Sequence, residues 1–114
     1  MARIRLHIHL EPSHSLGPGK ARLLELVGEL GSISAAARSM DMAYRHAWEL
    51  IDDLNQCFGG PLVETRRGGR SGGGAALTPL GKQVLGRFRE IERATRAVTA
   101  RPLAALERTR RRRS

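Results

Sequence analysis

Two stretches with the spacing of short helices stand three residues apart, and nothing else in the chain constrains its fold as tightly. Ser34 reads as the N-cap of the first, and Ala35-Ala36-Ala37-Arg38 that follows is small enough to pack closely. Met40-Asp41-Met42 breaks the pattern. A longer helix is predicted from about Ala43 to Cys57. Tyr44, Ala47, Trp48, Ile51, Leu54 and Phe58 form its inner stripe, and Arg45, His46, Glu49, Asp52 and Asp53 face outward.

The flanks read as follows. Ile4, Leu6, Ile8 and Leu10 alternate with Arg3, Arg5, His7 and His9, the period of a half-buried strand. Pro12 to Gly19 reads as a loop. Leu23, Leu24, Val27 and Leu30 predict a helix from about Pro18 to Leu30, stopped by Gly31. After Gly59-Gly60-Pro61, a strand is expected over Leu62 to Arg67, a glycine tip over Gly68 to Gly74, and a returning strand over Ala75 to Leu77. Thr78 caps the next helix, and Pro79 takes its first position, where a missing N–H costs nothing.

That last helix is predicted from Pro79 to about Ala100. Gly81, Val84, Phe88, Ile91, Thr95 and Val98 step by three and four, a short heptad seam. Val84, Phe88, Ile91, Thr95 and Val98 are the candidate dimerisation residues; the competing reading is an amphipathic helix covering its own domain. Pro102 is expected to interrupt the helix, and the arginine-rich end through Ser114 to be disordered. The organisation is therefore one domain over residues 1–100, including the dimer helix, and a basic tail over 101–114.

The chain has 114 residues and a formal charge of +9. That is enough for one real core, and the charge favours a polyanionic partner through counterion release. Cys57 stands alone, so no intrachain disulfide can form. No apolar run approaches the roughly 18 residues of a spanning helix, and the alternating start is unlike a secretory signal. A cytoplasmic, nucleoid-associated protein is expected, with no membrane partner. No Ser/His/Asp or Cys/His nucleophile can be argued from the spacing, so the chain reads as no enzyme.

The fold class implied is mainly α with a small β wing: a winged helix-turn-helix with a long C-terminal dimerisation helix. In that arrangement the second helix enters the major groove and reads base edges near its N-terminus. Ala43, Arg45, His46 and Glu49 are the exposed residues there. Arg45 is the strongest candidate, since its fork can bond two guanine acceptors. Tyr44 either contacts a phosphate or seals the core. Ser34 can help hold a phosphate at a helix start. Arg66, Arg67 and Arg70 flank or sit in the glycine tip, where a basic hairpin can follow the backbone or enter the minor groove. An incidental surface loop is the alternative.

Gly31-Ser32-Ile33-Ser34-Ala35-Ala36-Ala37, Ala43-Tyr44-Arg45-His46-Ala47-Trp48 and Asn55-Gln56 together resemble the N-terminal domain of the ModE molybdate-responsive regulators. Leu62-Val63-Glu64, the glycines around Arg70, and Leu77-Thr78-Pro79-Leu80-Gly81 are similar to that family's wing and following helix. The resemblance covers about residues 3 to 100; the broader LysR-type DNA-binding domain shares part of it. It implies a dimeric, sequence-specific regulator with Ala43 to His46 in the groove and a wing over Arg66 to Gly73. Two positions depart from the pattern: Asp41 stands where Gly or a neutral residue is usual, and Ala43 replaces a helix-starting Ser. The family's C-terminal molybdate-binding domains have no counterpart in these residues, so molybdate binding is not expected.

Other readings fare less well. His7 and His9 share the outer face of the first strand with His14 near, and solvent-exposed histidines are the better reading, so no metal site is expected. Neither phosphate-binding glycine motif is present, so no cofactor is expected. The expected partners are double-stranded DNA and a second copy of the chain. Two rival functions remain: a nonspecific nucleoid-type nucleic-acid-binding protein and a protein-interaction module. The arginine tail either adds backbone affinity or is a solvated end.

Overall fold

The structure is a computed structural model describing residues 2–10, 12–66 and 74–110. The elements run β1 (Ile8–Leu10), β2 (His14–Leu16), α1 (Pro18–Leu30), α2 (Ile33–Ser39), α3 (Tyr44–Phe58), β3 (Val63–Arg66), β4 (Gly74–Leu77) and α4 (Pro79–Thr109). This is the winged helix-turn-helix with a long last helix that the sequence implies.

Local chemistry sets the helix ends. Pro18 opens α1, and Gly31 closes it at φ 68°, with its N–H bonded to the Val27 carbonyl at 2.9 Å. Gly59 ends α3 the same way at φ 70°. Thr78 caps α4, its hydroxyl accepting from the Gly81 N–H at 3.0 Å while donating to the Pro61 carbonyl at 2.7 Å. The cap of α2 is a correction. Ser32, extended at φ −160°, accepts from the Ala35 N–H at 3.0 Å. Ser34 lies inside the helix, where its hydroxyl accepts from Arg38 Nη1 at 2.8 Å.

The turn between α2 and α3 rests on Asp41, at φ 55° the one described non-glycine residue in the left-handed region. Asp tolerates that region better than most residues, which explains the acid where a Gly would be the easy choice. The Met42 N–H returns to the Ala37 carbonyl at 3.0 Å and closes the turn.

One core forms where α1, α2, α3 and the start of α4 meet. Phe88, Leu23, Leu24, Ile51, Leu54, Leu62 and Val27 are its largest fully buried side chains. Leu30, expected on the apolar stripe, is exposed, and Ala21 and Leu26 take the inward positions instead. The wing is fastened at its base. The Ala75 N–H bonds the Gly31 carbonyl at 2.9 Å, and Leu62 N–H bonds Asn55 Oδ1 at 2.9 Å. A Cβ on Gly81 would lie 2.1 Å from the Leu62 carbonyl oxygen, so α4 starts against the wing in a way only glycine permits.

Four further expectations are corrected. The N-terminal strand covers only Ile8–Leu10, and it pairs with His14–Leu16, which had read as loop. Alternation gives a strand its two faces, but a ladder also needs a partner, and β2 supplies just three residues. Leu6 packs on the core and Ile4 is exposed, both bordering α4 near Thr95 and Arg96. Second, α4 passes through Pro102 and continues to Thr109. Residues 103–109 are mostly strong helix formers, and the carbonyl that Pro102 leaves without its helical donor lies on an exposed stretch that water can reach. Residues 101–109 are thus helix and not tail, while 111–114 lie outside the described residues. Third, Val84 and Phe88 are 6% and 1% exposed and belong to the chain's own core. The candidate seam is thereby reduced to its outer part. Fourth, Asp53 does not face solvent freely; it accepts from Lys20 Nζ at 2.6 Å and pairs with His14 Nδ1 at 3.0 Å.

Candidate nucleic-acid interface

The interface is built by α3. Its buried residues, Ala47, Ile51 and Leu54, hold one face against the core. The opposite face of its first turns is free. Ala43, Arg45, His46 and Glu49 are exposed, as the periodicity implies, and so is Tyr44, which the periodicity had placed on the inner stripe. Tyr44 resolves toward solvent: it is 53% exposed, and its ring meets the Trp48 ring edge-on at 6.3 Å and 81°. Ala43 occupies the N-cap and makes no side-chain cap bond, so the first N–H groups of α3 are free to meet an acceptor.

Arg45 makes no ion pair among the described residues, which leaves its guanidinium available. His46 Nδ1 lies 3.4 Å from Glu49 Oε1, a long contact on an open surface. A carboxylate on this face repels phosphate but can accept from the amino group of cytosine.

Arg66 ends β3. Arg67 and Arg70 lie outside the described residues. A cleft of about 430 Å³ opens between α2, α3 and the wing, lined by Ser32, Ser34, Tyr44, Trp48, Thr65 and Arg66 among others. Ser34, Tyr44 and Arg66, chosen on sequence, therefore come together, and Arg45, His46 and Glu49 form a second patch on the outer face of α3. Thr65, Trp48 and Ser32 escaped the sequence reading. Trp48 fell on the apolar stripe, and Thr65 lines the cleft from β3, where it pairs with Ala75, another lining residue.

Behind the interface, Asp53 anchors the far half of α3. Lys20, which also donates to the Ser15 carbonyl at 2.8 Å, gives it a hydrogen bond. That bond, against some burial and with help from His14, holds the carboxyl below its ordinary range. One turn on, burial pushes the Cys57 thiol upward, with the Asp53 charge adding to it, the opposite of what a reactive thiolate needs. His7 sits against Gly17 while His14 turns to Asp53, so the histidines do not converge. Among the described residues no group of three or more His, Cys, Asp or Glu could hold a metal. No described helix is long and apolar enough to cross a membrane.

The family model described as bacterial regulatory helix-turn-helix protein, lysR family, matches residues 19–82, more than half of the chain. The chain is 39% identical over 77 residues to the molybdenum-pterin-binding protein MopB of Rhodobacter capsulatus, covering 68% of this chain and 28% of that one. It is 35% identical over 88 residues to the molybdenum transport protein ModE of Azotobacter vinelandii, covering 77% and 33%. To the DNA-binding transcriptional dual regulator ModE of Escherichia coli K12 it is 36% identical over 84 residues, covering 74% and 32%. The chain thus spans about a third of the length of these curated relatives.

Proposed function

The chain belongs to the lysR family of bacterial regulatory helix-turn-helix proteins, and on that premise we propose that it is a sequence-specific DNA-binding transcriptional regulator that acts as a homodimer, without catalytic activity. The observation that carries the reading is the two-faced α3: Ala47, Ile51 and Leu54 hold one face in the core, and Ala43, Tyr44, Arg45, His46 and Glu49 stand exposed around its start. A rigid helix offered end-first is what major-groove readout requires. Similarity to the Escherichia coli dual regulator supports the same assignment.

In this reading Arg45 contacts a base edge, with Ala43, His46 and Glu49 around it, and Ser34, Tyr44, Arg66, Arg67 and Arg70 engage the backbone. Two copies pair through the outer seam of α4, Ile91, Thr95 and Val98. Ile91 is 43% and Val98 76% exposed, and Leu106 continues the stripe at 63%. An apolar groove between the β1–β2 hairpin and α4, lined by Ile8, Leu10, Phe58 and Leu80, opens beside Ile91 and adds area for the second copy. Each subunit then places one α3 in a major groove, with half-sites about 34–36 Å apart or a multiple of that. The site of action is the nucleoid in the cytoplasm.

A mobility-shift titration on genomic fragments, with random duplex as competitor, tests this. Competitor-resistant binding to a few fragments is expected. Arg45→Ala should lose about 1–3 kcal/mol on those fragments and little on random duplex. Binding that random DNA erases would replace the regulator with a nonspecific nucleoid-type protein, and no binding at low salt would leave a protein-interaction module.

A further inference from the structure

Residues 2–7 lie along α4 with no described strand beside them. Ile4 and Leu6 border α4 at Glu92, Thr95 and Arg96, and Ala2 borders it further on, at Ala100, Leu103 and Ala104. The segment therefore runs antiparallel to α4 and leads into β1. It continues the alternation of that strand: Arg3, Arg5, His7 and His9 are exposed, and Leu6, Ile8 and Leu10 are half-buried. Its lack of a partner has a local cause. β2 ends at Leu16, opposite Ile8, and after Gly17 the chain enters α1 at Pro18, which has no N–H to give. His7 still touches Gly17, and before it β1 has outrun its partner strand. Residues 3–7 make no backbone hydrogen bond with another described residue.

An extended segment with unpaired backbone groups is a template for one more strand. Its side chains decide which strand it accepts. Arg3 and Arg5 are exposed, and neither makes an ion pair with a described residue. Between them Ile4 keeps 43% of its surface exposed. A second copy of the segment fits poorly. Antiparallel pairing centred on Ile4 or on Arg5 sets arginine opposite arginine, and like charges directly opposite destabilise a ladder. A DNA backbone fits in part: phosphates suit the arginines and the N–H groups, but they offer the carbonyls no donor and Ile4 no cover. An acidic peptide strand supplies donors, acceptors, carboxylates for the arginines and apolar side chains for Ile4.

We propose that residues 3–7 are a docking edge for an extended segment of a partner protein in which acidic residues alternate with apolar ones. That segment adds a strand beside residues 3–7 and extends the β1–β2 sheet along α4. The basic row that keeps two copies from pairing here is what admits the acidic strand. The inference does not depend on the regulator reading, and it uses none of the residues assigned to DNA.

The probe is a short fluorescein-labelled peptide alternating glutamate with valine or threonine, titrated into the full chain and followed by anisotropy. Saturable binding is expected, together with slowed hydrogen–deuterium exchange at residues 3–7. Methylating alternate peptide nitrogens removes the donors of one peptide edge and leaves the charge. One of the two alternate sets should weaken binding about tenfold, and the other should leave it nearly unchanged. Arg3→Glu together with Arg5→Glu changes two exposed side chains, so the unfolding midpoint should hold. That variant should lose the glutamate peptide and bind a peptide with lysine in place of glutamate.

No saturable binding, equal effects of the two methylated sets, or unchanged exchange at residues 3–7 each overturns the docking edge. Amides of residues 3–7 that are protected in the chain alone, increasingly so as its concentration rises, hand the edge to a second copy and overturn the proposal. Protection by random duplex that the double variant abolishes, without peptide binding, hands it to DNA and overturns it as well. None of these outcomes bears on whether α3 selects a DNA sequence, so the regulator reading stands or falls on its own titration.

Discussion

Ser32 and Ser34 lie two residues apart and serve different ends. Ser32 is outside the helix with an extended backbone, so its oxygen can reach back over the first turn to the Ala35 N–H. Ser34 has helical neighbours on both sides and turns its hydroxyl to Arg38 and the cleft. Ser32→Ala should cost about 1 kcal/mol in urea unfolding. Ser34→Ala should stay within about 0.5 kcal/mol and act on DNA affinity instead; the reverse order of stabilities would return the cap to Ser34. Asp53 gives a pH-dependent prediction. Its carboxyl is held below the ordinary value near 3.9, so its ion pair with Lys20 stabilises the fold above that value and is lost as pH falls through the lower, folded one. The stability difference between the parent and Asp53→Asn should be constant from neutral pH down to about 5 and then shrink toward zero in stronger acid. A difference that grows on acidification would contradict the sign. Circular-dichroism urea titrations at several pH values measure it.

The element with the largest consequence is α4. At 31 residues it is about 46 Å long, and its buried residues, Gly81, Val84 and Phe88, all fall in its first third. Beyond Phe88 it carries an apolar stripe with little of its own core to cover it. An isolated helical stretch is marginal in water without packing, so the exposed stripe itself argues for a partner. Ile91→Asp together with Val98→Asp should convert the dimer to a monomer in sedimentation velocity, with the helical signal nearly unchanged because neither side chain is buried in the subunit. A dimer that survives both charges would move the interface off this face. Arg89 bonds Glu25 at 3.2 Å and Glu92 at 2.7 Å, tying the base of α4 to α1.

At the scale of the molecule, shape and charge act together. The described residues extend 60 × 33 × 23 Å, the long axis reflecting the projecting helix. The charge of +9 is large for 114 residues, and it makes affinity for DNA steeply dependent on salt. Removing residues 111–114 takes away Arg111, Arg112 and Arg113. If all three lie on phosphates, the slope of log K against log salt should fall by about 2–3. An unchanged slope would assign that end to solvent. In the proposed dimer, half-site spacing would depend on how α4 sets one α3 relative to the other.

The element order from α1 onward, the stops at Gly31 and Gly59, the Thr78-Pro79 start and the buried Ala47, Ile51 and Leu54 of α3 were legible in the sequence. Each depends on interactions within about one helical turn, where residue type and spacing carry the information. The exposure of Ala43, Arg45, His46 and Glu49 followed from the same periodicity. Other features depended on partners distant in sequence. A hairpin formed at His14–Leu16 because Ile8–Leu10 lies beside it. Val84 and Phe88 turned inward because α1 and α3 had a core to complete, although the heptad spacing alone fits a second copy equally well. Asp53 met Lys20 and His14 across 33 and 39 residues. The cleft is lined by residues of α2, α3, β3 and β4 that lie far apart in sequence, and local periodicity holds no information about which surfaces a folded chain brings face to face.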